Sequence, residues 1–172
     1  MQDSGPVDTS ARAAQIVERL ESDGFRMTTS EFDTGTVPTG YRGEFKWRWA
    51  ATTLHLFVSV VETPRATTEI VSRSVVDLSE LARKGRGGMK SLQSTRVVVP
   101  IVVAGEVDPE AVAMVGKVQY KVAGAAPFPV IDHVSGSQVF ACTGRLVWGA
   151  IFASWIRARV AACVGVPEGA VW

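Results

Sequence analysis

The chain has 172 residues, 47 % of them hydrophobic and 20 % charged, and 18 Lys and Arg almost cancel 17 Asp and Glu to leave a net charge of +1. That balance excludes a disordered chain, and it excludes attraction of the whole molecule to nucleic acid, so any anion binding must be local. A chain of this length is expected to form one domain, here residues 10–172 behind a polar lead-in at 1–9.

The lead-in lacks the apolar centre of a secretory signal, which makes the cytoplasm the expected compartment. Ser10 is placed to cap a helix reaching Asp23, with Ala13, Ala14, Ile16, Val17 and Leu20 on one stripe and Gly24 as its stop. A strand is expected from Phe25 to Glu31, then a loop from Asp33 to Gly40, which holds several turn formers and Pro38. From Tyr41 to Trp49, charged Arg42, Glu44, Lys46 and Arg48 alternate with Tyr41, Gly43, Phe45, Trp47 and Trp49. Period two means a strand with an aromatic face and a charged one. Residues 53–61 alternate as well, with Leu54, Leu56, Val58 and Val60 inward and His55 on the other face. The three strands read as an antiparallel meander.

Pro64 is expected to end the sheet. From 67 to 84, Ile70, Val71, Val75, Leu78, Leu81 and Ala82 fall at helical spacing. A Gly-rich basic loop follows, and residues 96–104 are apolar on both faces, as in a central strand, although Pro100 removes a ladder donor and points to a bulge or an edge. Asp108-Pro109-Glu110 has the cap, the first-turn proline and the acid that open a helix. A hairpin around Ser135-Gly136-Ser137 and a last helix over 145–164 complete an αβββαβαββα order. The fold class is α+β or mixed α/β: one domain with a central sheet, the meander plus further strands, covered by helices.

Glu44-x-Lys46, with Asp33 upstream, uses the vocabulary of metal-dependent phosphodiester cleavage, in which hard carboxylate oxygens hold Mg²⁺ and a lysine orients water. The motif and the order helix, three strands, helix, strand resemble the restriction-endonuclease-like nucleases. The resemblance covers about 100 residues by element order and implies a Mg²⁺-dependent nuclease with Asp33, Glu44 and Lys46 as its catalytic residues. The plainer reading is a solvated strand face whose charges pair across strands.

The second constellation is Arg83, Lys84, Arg86, Lys90 and Arg96, set among glycines in a stretch without an acid between Glu80 and Glu106. The plainer reading of such a loop is a solvated surface, and the sharper one a site for a phosphate-containing ligand or a nucleic-acid backbone. It leads into a strand and lacks the Gly-Lys-Ser/Thr ending of a phosphate-binding loop. His55 and His133 are the only histidines. Asp132-His133 beside Ser135 lacks the context of a catalytic triad, and Cys142 and Cys163 have no metal-ligand spacing. Around Trp148, Phe152 and Trp155 the last helix is apolar nearly all round but too short to span a bilayer, so it is expected in the core or in a homodimer contact. The leading expectation is a non-catalytic binding or interaction module without a cofactor, acting through the basic loop or by self-association. The Mg²⁺-dependent nuclease is the alternative.

Overall fold

The computed structural model describes residues 8–45, 53–85, 94–117, 121–142 and 150–166. The elements are α1 (Thr9–Ser22), β1 (Arg26–Phe32), β2 (Gly35–Phe45), β3 (Thr53–Ala66), α2 (Thr68–Lys84), β4 (Ser94–Val107), α3 (Pro109–Val115), β5 (Ala126–Pro127), β6 (Val130–His133), β7 (Gln138–Phe140) and α4 (Ala150–Val164). They build one open mixed sheet of seven strands in the order β1-β2-β3-β4-β6-β7, with the two-residue β5 also on β4. The meander β1-β2-β3 is antiparallel as expected, and β4 runs parallel to β3 and β6.

Parallel neighbours need crossovers, and α2 and α3 supply them on the same face of the sheet, as crossovers of one hand moving in one direction must. On that face, Leu78 and Ala82 of α2 pack on Phe57 and Val98, while Ala111 and Val115 of α3 pack on Val102 and Ile131. On the opposite face, α1 and α4 cover Leu54, Leu56, Val58, Val60 and the odd-numbered residues from Val97 to Val103. Residues 97–104 of β4 are therefore buried on both sides, which is why that run is apolar without alternation.

Helix ends follow local chemistry. Thr67 caps α2 by accepting from Ile70 N, and Asp108 stands at the cap position of α3 with Pro109 at its first turn. Asp8, not Ser10, caps α1 by accepting from Ala11 N, so the helix begins inside the expected lead-in. At its other end Gly24 takes φ +85°, and Phe25 N reaches Leu20 O at 3.0 Å while Gly24 N reaches Glu21 O at 2.9 Å. This is the paired-bond stop that glycine permits.

Three prolines correct the expected boundaries. Residues 35–40 belong to β2 rather than to a loop, and Pro38 fits because the ladder to β3 starts only at Thr39. Pro64 lies within β3, beyond the stretch that β2 pairs. Pro100 sits in the central strand, with neither an edge position nor an interrupted ladder to β3. Its parity is that of Val98, whose carbonyl accepts from Phe128 N at 2.8 Å, so its missing N–H faces the interruption between β5 and β6. Each proline spends its absent donor where no acceptor waits.

Leu56 is fully buried between β2 and β4, whereas Val76 on α2 is 45 % exposed. In urea denaturation Leu56→Ala should cost about 2–5 kcal/mol and Val76→Ala less than about 0.5 kcal/mol. Equal losses would contradict the layer assignment.

Candidate functional site

The two described acids of the nuclease-like motif, Asp33 and Glu44, do not converge. Asp33 occupies the β1–β2 turn and pairs with Arg73 at 3.6 Å, while Glu44 lies nine residues beyond Gly35, where β2 begins. At roughly 3.3 Å per residue the two are about 30 Å apart. Asp33 therefore cannot complete a site with Glu44. Lys46 lies outside the described residues. Among the described residues no group of three His, Cys, Asp or Glu is placed to hold a metal ion.

The charged row of β2 also departs from a solvated face. Arg42 and Glu44 pair in register with Leu56 and Leu54, so they share the side that α1 and α4 cover. Both are partly buried. Arg42 reaches Glu44 at 3.4 Å and Asp23 at 3.1 Å, and Arg159 of α4 bonds the same Asp23. Phe45, expected to face inward, is 50 % exposed at the end of the other face. The two helices need a polar seam where the sheet outruns their apolar stripes, and the β2 charges supply it. Trp47, Arg48 and Trp49 fall outside the described residues.

Phe152 and Trp155 of α4 are 4 % and 7 % exposed within the core, so a homodimer contact through these two side chains does not follow. Trp148 is outside the described residues. Cys142 and Cys163 are buried free thiols in the same core, and burial pushes the Cys163 thiol up to about 12, which makes it inert. His133 closes β6 and turns its ring over Gly136.

The basic constellation is the one for which the fold provides a setting. Arg83 and Lys84 are exposed at the last turn of α2, and Arg96 opens β4 immediately across the sheet; Arg86 and Lys90 lie outside the described residues. Register then adds four residues that the sequence reading had left apart. Arg96 stands opposite His55, Tyr41 beside it on β2 stands opposite Phe57, and Arg26 on β1 stands opposite Tyr41. All lie on the α2 face beyond the last turn of α2, where His55 and Phe57 are buried, Tyr41 and Arg96 half-buried and Arg26 exposed. A Cβ added to Gly85, the residue after α2, would stand 3.9 Å from the Phe57 ring.

The contacts join this row. Tyr41 Oη and His55 Nδ1 are 2.9 Å apart, and the Tyr41 ring stacks with His55 at 6.0 Å and tilts against Phe57 at 5.1 Å. The Arg26 guanidinium lies 5.2 Å from the Tyr41 ring centre, in cation–π range. A side chain at Gly43 would strike the Tyr41 hydroxyl, since an added Cβ stands 2.9 Å from it. Glycine there lets the tyrosine lie across the strand. Burial first, and the Arg96 charge second, lower the His55 pKa from 6.5. Either partner can donate in the Tyr41–His55 bond, according to the tautomer of the imidazole. The result is a basic and aromatic platform flanked by arginines from two strands and by the last turn of a helix.

No family model, curated protein or solved structure matches the chain. Fold and site therefore rest on the residues themselves. No helix among the described residues is long and apolar enough to cross a membrane.

The lowered His55 pKa has a testable sign. Below 6.5 the unfolded chain takes up the His55 proton before the folded one does, so this residue's contribution to stability is complete above 6.5 and is lost as pH falls through the window beneath it. Arg96→Gln should move the His55 titration, followed by its imidazole NMR resonances, upward but short of the ordinary value, because burial remains. An unchanged titration would show that Arg96 does not act on His55.

Proposed function

We propose that the protein is a non-catalytic module that binds a phosphate-bearing ligand on the platform beyond the C-terminus of α2. The observation that carries this reading is the contact row Arg26–Tyr41–His55–Arg96 on one sheet face, at the end where the basic segment leaves α2 and re-enters through β4.

The division of charge gives the row its part. Arg83 and Lys84 stand at a helix C-terminus, where the backbone carbonyls present partial negative charge, so much of their effect offsets that dipole. Lys84 also lies 4.0 Å from Glu80. Arg26 and Arg96 are anchored on strands instead, and their guanidinium forks suit phosphate oxygens. Buried His55 holds the Tyr41 hydroxyl from behind, and the half-buried Tyr41 ring gives an apolar surface beside which a nucleobase or similar plane could stack.

The test is titration with a short fluorescent oligonucleotide at several salt concentrations. Affinity should fall with salt, and Arg26→Gln and Arg96→Gln should each weaken it about tenfold and flatten the logarithmic salt slope by about one. Glu18→Gln, on exposed α1, should change nothing. Binding that is absent, or insensitive to both arginine variants, would refute the assignment.

A further inference from the structure

The two edges of the sheet differ. β7, at one edge, is three residues long, which leaves little for another strand to pair with. β1, at the other, runs for seven residues in unbroken register with β2, with neither a bulge nor a proline or lysine to blunt it. Among the described residues no strand lies beyond it. We infer that β1 pairs with β1 of a second copy of this chain, antiparallel about a two-fold axis at Thr29, so that the two sheets join into one.

The hairpin fixes which backbone groups are on offer. Phe32 and Gly35 are partners with only Asp33 and Thr34 between them, and the pair flanking a two-residue loop exchanges both of its hydrogen bonds. Alternation then makes Ser30, Thr28 and Arg26 the bonded residues, and it turns the N–H and C=O of Met27, Thr29 and Glu31 away from β2. Thr29 stands opposite Pro38, which has no N–H to give, in agreement with that assignment. A two-fold axis at Thr29 sets Met27 against the partner's Glu31 and Thr29 against the partner's Thr29. All three outward residues of each copy then donate once and accept once. Antiparallel registers centred elsewhere leave part of the strand unpaired.

The side chains favour the same orientation. Thr28 comes opposite the partner's Ser30, so the middle of the seam carries short hydroxyl side chains and no charge. The ends carry opposite signs. Arg26 is exposed on the α2 side, and it falls opposite the partner's Phe32, next to the partner's Asp33. Asp33 is turned to that same side, where it lies 3.6 Å from Arg73 with its side chain 74 % exposed. A parallel pairing would instead set Arg26 beside Arg26 and Glu31 beside Glu31, which is repulsive. One strand from each copy buries less than the roughly 1,200 Å² of a stable interface, so the dimer is weak, with a Kd at or above about 10 µM.

Sedimentation equilibrium from about 10 µM to about 1 mM should show the mean mass rising toward that of a dimer. Over the same range, hydrogen exchange should slow at the amides of Met27, Thr29 and Glu31 and stay unchanged at Thr28 and Ser30, which are already bonded in the monomer. Thr29→Pro removes an outward donor and nothing from the β1–β2 ladder, so it should melt close to the parent and stay monomeric. Thr29→Lys, which sets two like charges on the axis, should stay monomeric as well. Asp33→Lys should weaken the dimer about fivefold, and Arg26→Glu added to it should restore the affinity. A mass that does not change with concentration, or a dimer that survives both Thr29 variants, would overturn the inference.

Discussion

One guanidinium ties the beginning, middle and end of this chain together. Arg12 on α1 donates from Nε to Asp132 on β6 at 2.7 Å and from Nη2 to the Val164 carbonyl at the end of α4 at 2.6 Å. Asp132 is only 2 % exposed, and a buried carboxylate without its partner is far costlier than the pair is favourable. The pair therefore acts less as glue than as a condition on the fold: wherever Asp132 is buried, Arg12 must be beside it. At the other end of α1, Asp23 receives Arg42 from β2 and Arg159 from α4. The helix is held at both ends by ionic contacts and along its middle by Ala13, Ile16 and Leu20.

That arrangement decides where function can sit. With α1 fixed, its first turn stands beside the carboxyl ends of β3 and β4, where Ser10 donates to Glu62. The two sheet faces are otherwise occupied, one by α1 and α4 and the other by α2 and α3. What is left is the two ends of the parallel strands and the outer side of β1. One end is acidic and rich in acceptors. The other is basic and aromatic because α2 stops short of Tyr41, His55 and Arg96.

Much of the architecture was legible in the residues because the signals were local. Thr67 and Asp108 mark helix starts, Gly24 a stop, and Leu54–Val60 a strand, each through chemistry within a few positions. The prolines misled for the same reason: Pro38, Pro64 and Pro100 break strands only where a neighbour needs their donor, and which neighbours exist is settled by pairing far away in sequence. The charged row of β2 was read as facing water because alternation separates two faces without saying which helices lie above either. Trp155 and Phe152 could be assigned to core or interface only once α1 was known to lie alongside α4. The platform had one visible component, the basic segment ending at Arg96. Its link to His55 depends on parallel register, and the tie between α1 and β6 depends on Arg12 meeting Asp132 across 120 positions; neither leaves a periodic trace.

A double-mutant cycle on Arg12 and Asp132 tests the organising claim most directly. Arg12→Ala should destabilise the protein by about 3–5 kcal/mol by stranding the buried carboxylate. Adding Asp132→Ala should then recover part of that loss, so that the double variant unfolds at a higher urea concentration than Arg12→Ala alone. Strictly additive losses would mean that the two side chains do not depend on each other, and that α1 is held in place by its apolar stripe alone.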